Sequence, residues 1–599
     1  MNLFSSLFER LDIYFHGDPD GYQKWILKHD RLTDPEREWI REQSKLLASK
    51  PVFSIVMPVY NPPVEFLKLA IESARKQLYP YWELCIADDA STHPDVIETL
   101  QAYSKLDSRI KVIFRTKNGH ISAASNSAFE IARGEWMALL DHDDELAEHA
   151  LYCVAREINE YPDAKLIYTD EDKITTEGKR FNPYFKPDWN PALLTGHNFF
   201  NHLGVYRSDL VRDAGAFRER YEGSQDYDLL WRCVEKVKPD QIRHIPHILY
   251  HWRALPGSVA RGMDVKNYAI AAARRAMQDH LDRENIDGHV ERCLENSDLH
   301  RVVYRVPTPA PRVSVLIPMR DKVHLTQTCV ETLQGITQYD NLETVIINND
   351  SEEEASKSWL RDFAAKPHCR VVDVPGKFSY SRINNEAVRQ TTGEILLFLN
   401  NDIEILHESW MIEMVGQLLQ RNVGAVGARL WYPNKTLQHG GVIVGLGGLA
   451  AHQFCETPRG QMQYFGRNVL CQNLSAVTAA CLAVKRECFA KVGGFNETDL
   501  PVQYNDVDLC LRLREAGYDI VWTPFAELLH HESKSRGYNT SPEQLEVFSR
   551  EANYLKKRWA KWIEHDPAYN PHLTIDRSDF SIAKDSRAHF PWRRVKQKH

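Results

Sequence analysis

Apolar and polar positions alternate between two regimes along this chain. Short, mostly apolar runs of five to seven residues, as in Phe53–Val59, suit strands covered on both faces. Between them lie stretches with apolar residues every three or four positions, which read as helices (Val64–Leu78, Leu325–Gly335). Strand, helix, strand in that order predicts α/β architecture with a mainly parallel sheet.

The pattern occurs twice. Phe53-Ser-Ile-Val-Met-Pro58 returns as Val313-Ser-Val-Leu-Ile-Pro318, and Glu83–Ser91 returns as Glu343–Ser351. Gly134-Glu135 and Leu140-Asp-His-Asp143 return as Gly393-Glu394 and Leu399-Asn-Asn-Asp402, all about 260 residues on. The proline-rich stretch Val306–Pro311 separates the copies, since it cannot continue a helix. Five segments are therefore expected. They are a helical extension over 1–50, a first α/β domain over 51–305, a linker over 306–311, a second domain over 312–545 and a helical, basic extension over 546–599.

Composition narrows the class. With 599 residues, 43% hydrophobic and 26% charged, the chain can bury several cores and is not of the disordered type. The 82 acidic residues outnumber 74 lysines and arginines, a balance that argues against a nucleic-acid binder. No apolar run reaches the ~18–20 residues of a membrane span. The start of the chain does not read as a signal peptide. Eleven cysteines without a C-x-x-C pair read as reduced thiols rather than a disulfide or zinc framework. The expectation is a cytoplasmic protein. The apolar stripe Leu3, Phe4, Leu7, Phe8, Leu11 and the basic Arg593–Lys598 leave open a peripheral contact with the inner face of the membrane.

Polar residues cluster where strands should end, the place where open α/β sheets bind ligands: Asp88-Asp89, Asn349-Asp350, Asp141–Asp144 and Asn400–Asp402. Asp and Asn also favour turns, but four clusters at matching places in two copies are harder to explain that way. Carboxylates at alternate positions, as in Asp141-His-Asp143, can share a hard cation.

With these pieces each half resembles a family-2 glycosyltransferase domain of the GT-A fold. The first half carries Met57-Pro-Val-Tyr-Asn61, Asp88-Asp-Ala-Ser91, Asp141-His-Asp-Asp144 and Gln225-Asp-Tyr-Asp-Leu229. The second carries Ile317-Pro318, Asn349-Asp-Ser351, Asn400-Asn-Asp402 and Asn505-Asp-Val-Asp-Leu509. The layout is similar to tandem inverting transferases of bacterial surface-polysaccharide or O-antigen assembly.

The resemblance implies two GT-A domains, a nucleoside-diphosphate sugar donor (UDP-, GDP- or dTDP-linked), a glycan or lipid-linked glycan acceptor, and Mg2+ or Mn2+. It places Pro58, Tyr60, Asp89 and Asp141, and in the second half Pro318, Asp350 and Asn400, at the nucleotide. Asp143 and Asp402 fall on the metal, and Asp226 and Asp506 match the general base. The competing reading of these two acids is helix capping. His251 and His531 each follow the presumed base by 25 residues, and a neutral imidazole there would suit a further metal ligand. His530 beside His531 leaves the choice within that pair open. Trp252 and Trp522 are candidate sugar-stacking rings, and Arg382 a candidate phosphate contact. The second half has lost carboxylates, so one active and one degenerate half stands as the alternative, with a non-catalytic glycan-binding scaffold as its extreme.

Other enzymes fit less well. There is no G-x-G-x-x-G turn after either first strand and no Walker lysine, which removes dinucleotide-dependent dehydrogenases and P-loop enzymes. The Gly/Arg-rich loop of sugar nucleotidylyltransferases is absent. Arg558-Trp559 lacks the glutamine and membrane spans of processive synthases.

Overall fold

The computed structural model describes residues 21–255, 263–294, 297–532 and 541–593. The apolar stripe at Leu3–Leu11 and the tail beyond residue 593 lie outside them.

The first domain is one sheet of nine strands. They are β1 (Phe53–Val59), β2 (Trp82–Asp88), β3 (Ile110–Phe114), β4 (Trp136–Leu139), β5 (Glu145–Leu146), β6 (Leu166–Ile174), β7 (Arg180–Tyr184), β8 (Gly204–Arg207) and β9 (Ile242–Arg253). They run in the order β3-β2-β1-β4-β8-β6-β9-β5, with β7 against β6. A two-stranded unit, β10 (Gly288–Arg292) and β11 (His300–Tyr304), leads out of it.

The second domain begins with β12 (Val313–Met319), β13 (Leu342–Asn348), β14 (Cys369–Asp373), β15 (Ile395–Leu399) and β16 (Ile403–Ile405). It continues with β17 (Val423–Trp431), β18 (Leu437–His439), β19 (Val442–Val444), β20 (Ala450–His452), β21 (Gln472–Leu474), β22 (Cys481–Lys485) and β23 (Asp519–His530). Its order, β14-β13-β12-β15-β22-β17-β23-β16, repeats that of the first strand for strand. In each sheet the first four strands are parallel, and β8 or β22 then enters antiparallel. The β19–β20 pair is a separate two-stranded sheet.

The repeated Ser, Glu and Gly of the sequence fasten the entry ends of these strands. The Ser54 hydroxyl donates to Glu83 (2.7 Å) and accepts from the Gly134 amide (2.8 Å). Ser314, Glu343 and Gly393 repeat this at 2.6 and 2.9 Å. A Cβ on Gly134 would sit 2.6 Å from the Ser54 hydroxyl and the Val52 carbonyl, so the glycine is required by close approach.

The two domains share one apolar cluster, and Tyr184 stacks on Phe465 at 3.9 Å. Asn190 and Asn473 exchange hydrogen bonds at 2.8 Å in both directions. The helix Pro542–Arg558 starts inside the second domain's expected span. After the short helix Ala560–Glu564 the chain is irregular rather than helical, and it returns to the first domain. Asp566 accepts from Ser475 (2.6 Å), Asn570 donates to Asp170 (2.9 Å), and His572 contacts the Pro246 carbonyl (2.7 Å). The last described stretch is thus a strap over both domains. All eleven cysteines are free thiols.

Candidate active site

The strand registers align the copies. Val59 pairs with Asp88 and Met319 with Asn348, so Asp89 corresponds to Asn349 and Ala90 to Asp350. Ala90 (φ 59°) and Asp350 (φ 56°) hold the same left-handed turn position. The expected equivalence of Asp350 with Asp89 is therefore off by one residue. Buried Asp89 receives Arg115 (2.8 Å) and the Gly119 amide (3.0 Å), while Asn349 donates to the Val374 and Gly376 carbonyls (2.8 and 2.9 Å). Asp350 is exposed and accepts from the Gly376 amide at 2.6 Å.

In the second domain a cleft of about 680 Å3 opens at the carboxyl ends of β12 and β15. Pro318, Asn400, Asp402 and Asp506 all line it, with Asn349, His452 and His530; Asp350 and His531 do not. Asp402 is buried, with one oxygen 3.3 Å from His530 Nε2. Burial works to raise its pKa, but the His530 imidazole outweighs this and holds the carboxyl below its usual range. Three cleft atoms have no hydrogen-bond partner, Asn349 Oδ1, Gln438 Oε1 and His530 Nδ1, while Asp402 Oδ1 has the 3.3 Å approach of His530 Nε2. Orphaned polar atoms gathered in one cleft are the mark of a ligand site. A carboxylate oxygen paired with an imidazole at 3.3 Å at the cleft wall fits a divalent cation whose remaining ligands come from phosphate oxygens. No group of three or more His, Cys, Asp or Glu side chains forms a complete metal cage among the described residues.

Asp506 lies in the first turn of the helix Asn505–Glu515, one position after its start. It is not the cap. Its carboxylate accepts the Ala479 amide (3.0 Å) and the Val507 amide (2.9 Å). Two residues on, buried Asp508 faces inward to Arg512 (2.7 Å) and Trp559 Nε1 (3.0 Å). Of the two carboxylates in Asn505-Asp-Val-Asp508, one faces the cleft and the other holds the helix.

The first domain repeats the frame with different fillings. Asp228 is buried between Arg218 and Arg232, as Asp508 is by Arg512. Asp226, on the helix Gln225–Val234, accepts from Asn198 (2.9 Å) and Asn201, and burial raises its pKa. Pairing of β4 with β8 and of β15 with β22 aligns Asn201 and His202 with Ala479 and Ala480. The first site thus carries amide and imidazole side chains where the second has methyl groups. Neither Asn201 nor His202 is visible in any motif, and only comparing the copies strand by strand exposes them.

Asp144 is taken up by the fold, accepting from Tyr250 (2.6 Å) and the Arg253 amide (2.7 Å). That leaves Asp141 and Asp143 for a cation, and burial raises the Asp143 pKa. Pro58 is buried in β1, with its carbonyl 3.2 Å from His142 Nδ1; Tyr60 is exposed beyond the strand end.

The histidines differ from expectation. His251 Nδ1 meets Asp172 Oδ1 at 2.6 Å, and the structure does not bring it to Asp143. Glu145 pairs with His251 in β9, whereas the equivalent Glu404 pairs with Leu529 in β23. His531 therefore corresponds to Arg253, and His530 to Trp252. The shared spacing of 25 residues joins positions two residues apart in the strand. Like Arg253 on Glu145, His531 pairs with Glu404. The cleft histidine of the pair is His530. Trp522 is fully buried and donates to the Ala428 carbonyl (3.2 Å), so it is core. Arg382 is turned onto the Pro375 and Lys377 carbonyls (3.0 and 3.1 Å).

His202 stacks on Tyr250 at 4.7 Å and contacts Glu171 at 3.2 Å. Burial works to lower its pKa, but Glu171, with Asp141 and Asp144 nearby, pushes it up to about 9. His244, between Asp170 (2.9 Å) and Asp188 (3.0 Å), is raised against its burial to about 9 as well. A histidine whose folded pKa lies above the ordinary ~6.5 adds stability that is complete below that value and lost as pH rises toward 9. The melting temperature should fall between pH 6.5 and 9.5, and His202→Gln/His244→Gln should flatten that slope. An equal slope in the variant would show that these imidazoliums do not carry it.

Comparison with known proteins now fixes the class. The model of glycosyl transferase family 2 matches residues 54–214 and 314–493, together more than half of the chain. The chain belongs to that family, with two tandem domains of the GT-A type. It is 47% identical over 91% of its length to the uncharacterized protein y4gI of Sinorhizobium fredii, covering 60% of that protein. It is 36% identical over 90% of its length to the O-antigen biosynthesis protein RfbC of Myxococcus xanthus, covering 41% of it. The chain thus spans about half the length of these two relatives. Among solved structures, GalNAc-T7 with UDP, GalNAc and Mn2+ is 13% identical, with a TM-score of 0.34 over 42% of this chain and 51% of that one. No helix among the described residues is long and apolar enough to cross a membrane.

Proposed function

We propose that this chain is an inverting glycosyltransferase that adds sugars to a bacterial surface glycan of the O-antigen or capsule class. Its donors are UDP-, GDP- or dTDP-sugars, and its acceptor is a glycan or a lipid-linked glycan. The observation that carries this reading is the second-domain cleft, where Pro318, Asn400, Asp402 and Asp506 converge with orphaned polar atoms. The name of the Myxococcus relative supports the glycan class.

Asp402 and His530 would hold Mg2+ or Mn2+ in the second site, and Asp141 with Asp143 in the first. Such a cation neutralises charge on the departing nucleoside diphosphate. Asp506 is held by two backbone amides at the cleft wall, so its carboxylate is positioned before the acceptor arrives. A carboxylate held in place accepts the hydroxyl proton late, as the oxygen bonds to the anomeric carbon and acidifies. Asp226 would do the same in the first domain, giving two activities. In a second reading the first domain binds sugar without transferring it. Two asparagine amides already occupy the Asp226 carboxylate, and His202 stands where the second site is open. Location in the cytoplasm, at or near the inner face of the membrane, follows from the donors and acceptor proposed.

The test is donor turnover by the purified protein across UDP-, GDP- and dTDP-sugars, with and without Mn2+ and with extracted lipid-linked glycan as acceptor. Metal-dependent release of a nucleoside diphosphate is expected from at least one donor. No release and no calorimetric binding of any donor would overturn the reading.

A further inference from the structure

The β19–β20 pair belongs to the second domain alone among the described residues, and it brings a histidine to the cleft. His439, at the end of β18, is fully buried; His452, at the end of β20, lines the cleft with Asp506 and Glu532. Their Nδ1 atoms are 2.6 Å apart, with the rings nearly perpendicular at 88°. On its other side, His439 Nε2 accepts the Thr478 amide at 3.4 Å. The next amide along, that of Ala479, holds Asp506. One short segment therefore fixes both the presumed base and the far end of the histidine pair.

Proton bookkeeping settles the tautomers. A backbone N–H can only donate, so His439 Nε2 carries no proton. Both rings are neutral, since burial lowers the pKa of each. The His439 proton is then on Nδ1, and it donates to His452 Nδ1, which must accept. The remaining proton of His452 lies on Nε2. The same count excludes His452 as a metal ligand through Nε2, because that atom is protonated.

We propose that His452 is a positioning residue that donates from Nε2 to a sugar hydroxyl bound over Asp506, vicinal to the hydroxyl that Asp506 deprotonates. A hydroxyl can accept from an imidazole N–H and donate to a carboxylate at once, and the cleft offers both beside Glu532. A neutral donor suits an uncharged polyol, and it adds no competing positive charge beside the base. The proposal deepens the transferase reading and rests on it.

The experiment is nitrogen-15 NMR of the full chain labelled at histidine. The expected spectrum shows His439 protonated on Nδ1 and His452 on Nε2, and addition of diamagnetic Mg2+ leaves that protonation in place. Methyl α-D-mannopyranoside and glycerol, as vicinal-diol probes at up to molar concentration, should shift the His452 Nε2 signal. In His439→Phe, checked for an unchanged melting temperature, His452 should become a mixture of tautomers and the probe shift should shrink. His452 protonated on Nδ1, displacement of its Nε2 proton by metal, or no shift with either probe would overturn the proposal. The tautomers are read without turnover. A protein that keeps them and shifts with the probes but binds no nucleotide sugar loses the transferase reading, not the hydroxyl site.

Discussion

Asp506→Asn should abolish transfer by the second domain while donor binding and melting temperature stay close to wild type. Asparagine keeps the shape and one accepting oxygen, so it can still take the Ala479 amide that holds Asp506 at 3.0 Å. Its amide nitrogen then faces the Val507 amide, which costs about 1 kcal/mol, a small loss for a domain. What it cannot do is accept a proton. A positioned base contributes a factor of ~10²–10⁴, so the rate should fall by at least the lower figure with the donor KM nearly fixed. The assay is nucleoside diphosphate release with Mn2+ and acceptor, beside calorimetry of the same donor. Transfer that survives, or donor affinity that falls in step with rate, would remove Asp506 from the proton transfer. Asp226→Asn in the same assay separates the two domains. If product loses a second linkage both halves catalyse; if it is unchanged the first half binds only.

The sequence made the frame and the acids of the second site legible for a physical reason. A doubled pattern pins strand ends, and a carboxylate at a strand end or in the first turn of a helix has few places to point. Pro318, Asn400, Asp402 and Asp506 all line the cleft on that logic. Histidines were not legible in the same way. The spacing from Asp226 to His251 equals that from Asp506 to His531, but the chain between base and strand differs in length between the copies. Equal counts then land two residues apart in the strand, His251 on Asp172 and His531 on Glu404. Asp350 failed by a single residue. The repeat of Glu83–Ser91 as Glu343–Ser351 already sets Asp89 against Asn349, and the pairing of Val59 with Asp88 and Met319 with Asn348 agrees; matching acid to acid moved the assignment one residue on. Asn201, His202 and His452 carry no motif at all. They reach the sites through sheet order and through the inserted β19–β20 pair, which are long-range facts.

Asp508→Ala, two residues from the presumed base, should unfold rather than disarm the protein. Asp508 is 1% exposed, and its carboxylate joins Arg512 on its own helix to the indole of Trp559, just past the end of the helix Pro542–Arg558. Removing it leaves the buried Trp559 indole N–H without its acceptor and the half-buried Arg512 guanidinium with only the Val492 carbonyl. Breaking such a pair costs about 3–5 kcal/mol, against a total domain stability of roughly 5–15 kcal/mol. The midpoint of urea unfolding, followed by tryptophan emission, should therefore drop sharply. Asp508→Asn should fall less, because its oxygen still accepts from Trp559. Activity should fail only where the fold fails, and return where cooling or urea-free buffer keeps the domain folded. The reverse pattern, a normal midpoint with activity gone, would place Asp508 in the chemistry and leave the helix held by its apolar face alone. Measured beside Asp506→Asn, the pair asks one question of two neighbouring carboxylates. If one loses rate without stability and the other stability without rate, the Asp-x-Asp element divides the work of holding the helix from the work of taking a proton.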